Sequence, residues 1–417
     1  MAEIRPFRAL RPEEHLIAEV AALPYDVYSR EEAVKAVAGR PLSFLNIDRP
    51  ETQFGPGHDM YADDVYRKAD EMMRDFEARG IFVQEETPCY YIYALTMDGR
   101  TQHGLVACSA VDDYLGQVIL RHENTRADKE LDRIRHVDTV SAQTGPIFLA
   151  YRDREAMTAL TKEITAETPL YDFTSEDGIR HAVWRVADPE RVRAITEIFS
   201  EIPHTYIADG HHRAASAVRV ALKRRAEHPD YTGAEEFNAF LSVLFPASEL
   251  KILDYNRVVK DLNGLSEGAF LARLKACFTV SELEAGIRPV LTRKGEFGLF
   301  LGGETPHWYH LAAKPEVLND DPVEGLDVSL LQNLVLGPVL GIRDPRTDRR
   351  IDFIGGIRGL AELERRVAGG MALAFAMYPT SMEELFAVAD AGLLMPPKST
   401  WFEPKLRSGL LMHKIER

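Results

Sequence analysis

The nine residues from Thr205 to Arg213 constrain this chain more than any other stretch. The β-branched and aromatic run Thr205-Tyr206-Ile207 predicts a buried strand. It stops at Asp209-Gly210 and passes straight into a helical pattern that reaches Glu227, so His211, His212 and Arg213 fall in the first helical turn. A helix start carries unpaired backbone N–H groups and the positive end of the dipole, and both favour an anion. Gly210 lets the backbone approach a ligand closely. Two imidazoles and a guanidinium add donors suited to phosphate. Asp209 would repel that anion unless a cation such as Mg²⁺ lies between them, or unless it takes a proton. An aspartate cap followed by solvated polar residues accounts for the same letters without a ligand.

At 417 residues the chain exceeds one ordinary core and predicts two or three domains. The net charge of −15 argues against a general nucleic-acid or membrane partner. The tail is locally basic, with five Lys or Arg against two Glu from Pro396 to Arg417. Three scattered cysteines, Cys89, Cys108 and Cys277, have no metal-ligand spacing and fit a reducing compartment. No run approaches a bilayer span and the start lacks an apolar leader, so a cytoplasmic protein is expected.

Strands and helices alternate along the chain. A helical pattern over 57–80 stops at Gly80, and Asp98-Gly99 marks a hairpin between Cys89–Met97 and Thr101–Val111. Gln117–Leu120 reads as a strand, then a charged helix runs from Ala127 to Val140. Further strands are predicted at Pro146–Tyr151 and Phe240–Phe245, with a helix capped by Asp188-Pro189. Beyond about 248 the pattern becomes α+β, with helices at 266–277 and 327–336, strands at 297–301 and 307–312, and a Ser381/Glu384 capping box before helix 382–391.

A second polar cluster, Arg121-His122-Glu123-Asn124-Thr125-Arg126, follows the strand at 117–120. Strand ends are where α/β folds place ligands, and a carboxylate beside His and Arg suits a general base; a capping turn with solvated charges explains it equally well. His122, Glu123, His211 and His212 are all zinc-ligand types, but adjacent histidines are poor geometry for one ion and no His-x-x-x-His spacing exists. Phosphate loops, dinucleotide glycine fingerprints, nucleophile elbows and kinase glycine loops are all missing from the sequence. The Pro24-Tyr25-Asp26-Val27 loop, Asn46, Arg257 and the tail residues Lys398, Ser399, Thr400 and Lys405 are weaker candidates, each explicable as turn chemistry or a solvated loop.

Five separated motifs, in order, carry a resemblance. They are Pro24-Tyr25-Asp26-Val27, Arg121 to Thr125, Tyr206 to Arg213, Gly325-Leu326-Asp327-Val328-Ser329, and Met395 to Thr400 with Phe402 and Pro404-Lys405. By these the chain resembles domain-of-unknown-function family 1015. Its His-Glu turn and its Asp-Gly-His-His-Arg loop are also similar to the ParB/sulfiredoxin superfamily, which includes kinases of free serine. That second resemblance covers about a third of the chain, and it departs from the compact kinases in the 86 residues between Glu123 and Asp209.

The resemblance implies an α/β protein, α+β overall, with a ParB/sulfiredoxin-like core at 118–247, an N-terminal α/β extension at 1–117 and a C-terminal α+β domain at 248–417. It implies a small-molecule kinase forming O-phosphoserine from L-serine, with Mg²⁺ and ATP, ADP or pyrophosphate as donor. Glu123 would be the base, with His211 and His212 catalytic beside it. Asp209, Gly210, Arg213, Arg121 and Lys398 would hold phosphate or nucleotide, and Asp209 the metal. Asn124, Thr125 and Asp26 would meet the substrate. The alternative is a nucleotide-binding regulatory or ParB-like protein without kinase activity. A homo-oligomer stays open.

Overall fold

The structure, a computed structural model, describes residues 1–125 and 127–415, and gives the backbone alone for Asp128 and Lys129. The chain forms two compact units, Met1–Leu250 with Pro404–Arg417, and Lys251–Glu403. Both mix helices with sheets, so the class is α+β.

The first unit is built on a nine-stranded mixed sheet. In spatial order its strands are Ile119–Leu120, Thr205–Asp209, Ile147–Tyr151, Ala239–Pro246, Arg100–Ala110, Tyr90–Met97, Arg180–Val186 and Tyr171–Thr174, with Ile4–Arg5 paired to Arg100–Ala110. Thr205–Asp209 runs parallel to Ile119–Leu120, and Ala239–Pro246 runs parallel to Ile147–Tyr151. The hairpin turn falls at Asp98 and Gly99, both at positive φ (51° and 77°), as a tight primed turn needs.

Sequence separated 1–117 from 118–247, yet the two segments share this one sheet. Leu105–Ala110 pairs residue by residue with Ala239–Leu244. The hairpin strand Tyr90–Met97 is buried at six successive positions, Tyr90 to Leu95, so both its faces need cover and it sits inside the sheet. The last residues, assigned by sequence to the C-terminal domain, also return to this unit. Leu410, Leu411 and Met412 are buried, and His413–Lys414 pairs with Ala142–Gln143. Gly409, at φ 74°, packs so closely on the Phe44 ring that no side chain fits there.

The second unit carries a six-stranded antiparallel sheet, in order Phe278–Glu282, His307–Ala313, Glu296–Leu301, Leu373–Met377, Tyr255–Val259 and Ile351–Gly355. Helix Gly359–Ala368 packs Leu363 and Val367 against Val258, Phe300 and Trp308. The capping box at Ser381 and Glu384 forms ahead of helix Met382–Asp390. The helix predicted at 327–336 begins as Asp327–Leu331 but widens to a π-helix over Gln332–Leu336. No described helix is long and apolar enough to cross a membrane.

Candidate functional site

Two adjacent parallel strands bring the polar clusters together. Tyr206 is in register with Leu120, so the chain leaves both strands at the same edge. One exit is the turn Arg121–Thr125 and the other is Asp209-Gly210 with the start of helix His211–Glu227. The strand bulges between Ile207 and Asp209, which re-aims the aspartate. Gly210 caps the helix at φ 92° and ψ 31°, a left-handed conformation natural to glycine, and a Cβ there would lie 3.1 Å from the Arg213 guanidinium. Its N–H donates to Asp209 Oδ1 at 2.8 Å.

The buried imidazoles of His122 and His211 meet edge to face, with centroids 4.6 Å apart. Ligand atoms of His122, Glu123 and His211 all lie within 4.8 Å of one another. Burial pushes His122 down to about 4, outweighing its bond with the Ile207 backbone, and burial with His122 close by pushes His211 well down too. Both rings are therefore neutral near pH 7, the state a metal ligand or hydrogen-bond partner needs. The Nε2 of His211 is buried without a hydrogen-bond partner among the described residues. Two nitrogens and one carboxylate suit a transition ion such as zinc better than Mg²⁺, which prefers oxygen. The objection that adjacent histidines cannot share an ion falls away here, because His122 rather than His212 stands beside His211.

Asp209 is held by the tail. Lys405 Nζ donates to its Oδ2 at 3.0 Å, and Arg213 lies 4.0 Å away. Burial works against ionisation, yet Lys405 and Arg213 keep the Asp209 carboxyl well below the usual carboxylate range. The carboxylate is therefore ionised at neutral pH, with its charge matched by Lys405 and Arg213.

Arg213 turns inwards. It donates to the Pro146 carbonyl, and its Nε is buried without an acceptor among the described residues. It borders a cavity of about 30 Å³, room for one water, shared with Asp48, His136 and Thr144. Burial tends to lower its basicity, but Asp26 and Asp209 raise it, so the exposed Asp26 lies within electrostatic reach of this loop. The Arg133 guanidinium stacks on the neighbouring Tyr25 ring at 4.0 Å.

Among the remaining candidates, Thr125 donates to Glu130 at 2.9 Å. Arg121 and Asn124 are exposed, with the positive charge of Arg121 felt at His211, and His212 is half-buried beside it. Arg126 lies outside the described residues. Lys398 belongs to the second unit, where its ammonium sits 5.6 Å over the Tyr255 ring. Arg407 carried no sequence signal beyond the basic tail. It is buried and bonds Ser175, Asp177 and His181, two residues beyond Lys405.

The basic stripe of helix His211–Glu227 is neutralised within the unit. Arg219 faces Glu130, Lys223 and Arg224 share Asp138, and Arg225 pairs with Asp112 at 2.7 Å. A face paired in this way offers little to nucleic-acid phosphates.

A strand–turn–helix start facing a His-Glu turn, on a mixed sheet, makes up the candidate site. The chain belongs to the family of proteins of unknown function DUF1015, whose family model matches residues 4–329. Among solved structures it is similar to a free serine kinase in complex with AMP, at 16% identity and TM-score 0.34, covering 72% of this chain and 86% of that one. It is similar to SbnI with a C-terminal truncation from Staphylococcus aureus, at 10% identity and TM-score 0.39, covering 73% and 85%. A conserved hypothetical protein from Pyrococcus furiosus matches at 14% identity and TM-score 0.33, covering 72% and 90%. No curated protein matches.

Proposed function

We propose that this protein is a small-molecule kinase that moves a phosphoryl group to the hydroxyl of a free amino acid, L-serine being the preferred acceptor. The observation that supports it most is the convergence of Glu123 with the helix start that carries His211, His212 and Arg213. Phosphoryl transfer needs a placed hydroxyl, a proton acceptor and positive potential at the transferred group. Glu123 would take the serine hydroxyl proton as the oxygen bonds to phosphorus. ADP, AMP or phosphate would leave from ATP, ADP or pyrophosphate respectively, taking the electron pair of the broken P–O bond. The Gly210 cradle and helix-start N–H groups, with His212 and Arg121 at the rim, would hold the donor phosphates. Asp209 would hold Mg²⁺, which supplies charge neutralisation to those phosphates. Asn124, Thr125 and Asp26 would meet the amino acid.

The test is ³¹P NMR of the full chain with Mg²⁺ and L-serine, offering each donor separately. An O-phosphoserine signal supports the reading and names the donor, whereas none with any donor refutes it for serine. Arg121→Ala, at the exposed rim, should weaken donor binding by about 1–3 kcal/mol, the scale of a charge-assisted hydrogen bond. Calorimetric titration showing unchanged donor affinity would place the phosphates elsewhere.

A further inference from the structure

The second unit holds a charged cavity of about 290 Å³, at the small end of ligand pockets. One wall is Arg257, centred in strand Tyr255–Val259 and 3% exposed. Its guanidinium donates to the carbonyls of Tyr255 and Lys398 and lies 5.4 Å over the Phe353 ring. No carboxylate pairs with it among the described residues. Burial pulls Arg257 down to about 10, and the Tyr255 phenol is the group that opposes this. Buried guanidinium groups are ordinarily matched by an anion, because an uncompensated charge is costly to keep away from water.

The rest of the lining has the same character. Arg343 is exposed on the cavity and makes no ion pair among the described residues. Arg346 is gripped by both oxygens of Asp344, at 2.9 and 3.0 Å, so that pair cancels. Two positive charges remain over a surface of Phe353, Pro396 and Pro397. Two local distortions frame the space. Lys398 takes a left-handed φ of 60°, costly for a residue with a side chain, and presents its carbonyl to Arg257. The π-helix Gln332–Leu336 contributes Gln332 and Leu336 to the lining, and such widened turns recur at functional sites.

We propose that this cavity binds a small organic anion, with its carboxylate or phosphate on Arg257 and Arg343 and a flat apolar body against Phe353 and the two prolines. The site is separate from the phosphoryl-transfer reading and does not depend on it. Isothermal titration of the full chain with benzoate, phenyl phosphate and inorganic phosphate tests it. Binding of benzoate or phenyl phosphate with Kd below about 1 mM is expected. Benzoate alone identifies a carboxylate ligand, and phenyl phosphate with or without inorganic phosphate identifies a phosphorylated one. Arg343→Ala, an exposed change that leaves folding intact, should weaken binding about tenfold, and Arg257→Met should abolish it. Arg213→Ala, in the other unit, should leave it unchanged. No binding to the natural chain overturns the proposal, as does binding that survives Arg343→Ala at full strength or disappears in Arg213→Ala. If Arg257→Met fails to fold, the Arg343→Ala comparison decides.

Discussion

On the proposed kinase reading, Glu123→Gln is expected to lower the rate of O-phosphoserine formation by about 100- to 10,000-fold, the contribution of a well-placed general base, with donor affinity little changed. The amide keeps the shape and polar contacts of the carboxylate but cannot accept the hydroxyl proton. Glu123 stands beside the two neutral imidazoles of His122 and His211. Single-turnover assays with a saturating donor separate the two effects. A variant that turns over at the natural rate removes Glu123 as base. Loss of donor binding would instead make Glu123 part of the phosphate or metal site.

Stability falls as the pH drops from about 6.5 to about 4.5, because the unfolded chain then protonates histidines that the fold holds neutral. His181 is the clearest of these. Burial, then the nearby Arg407, pushes it down to about 3, against the pull of Asp177. Arg407 Nε donates to its Nε2 at 3.3 Å, and its Nδ1 is bonded to the Tyr93 hydroxyl at 2.7 Å. Above pH 6.5 neither the folded nor the unfolded chain protonates this ring, so nothing is lost. Below it the unfolded chain takes the proton and the folded chain does not, until the pH nears 3. A proton there would also set an imidazolium against Arg407 and loosen the tail that places Lys405 on Asp209. Urea unfolding at both pH values measures the effect. His181→Asn should flatten the dependence by about 2 kcal/mol, and an equal slope in both proteins would exclude His181 as its source.

Local signals in the sequence located the four longest helices of the first unit and six of the nine strands of its main sheet. Helix Ala127–Val140 and strand Ile147–Tyr151 fall where periodicity placed them, and Asp188 accepts from the N–H groups of Glu190 and Arg191 as a cap should. The strands Arg180–Val186, Leu373–Met377 and Ile351–Gly355 were not read although Asp177-Gly178, Gly369-Gly370 and Gly355-Gly356 flank them, because a short apolar run does not by itself distinguish strand from helix. The domain picture was coarser for a related reason. Sheet order is a long-range property, and nothing near residues 90–110 records that Ala239–Pro246 pairs with them 130 residues later.

The residue types of the site were legible, since Asp209-Gly210 between a strand and a helix is a local arrangement with a local cause. Which of them meet was not. The approach of His122 to His211, the inward turn of Arg213 and the grip of Lys405 on Asp209 come from strand register and from the return of residues 404–417 to the first unit. The bare charge of Arg257 was equally hidden, because a sequence shows a guanidinium but not the lack of a carboxylate around it. The chain by itself determined where backbone turns and which chemistry each turn carries, through steric and hydrogen-bonding preferences that act within a few residues. Only the tertiary structure decided which turns share a site, because pairing of distant strands and burial of distant side chains are set by the whole core.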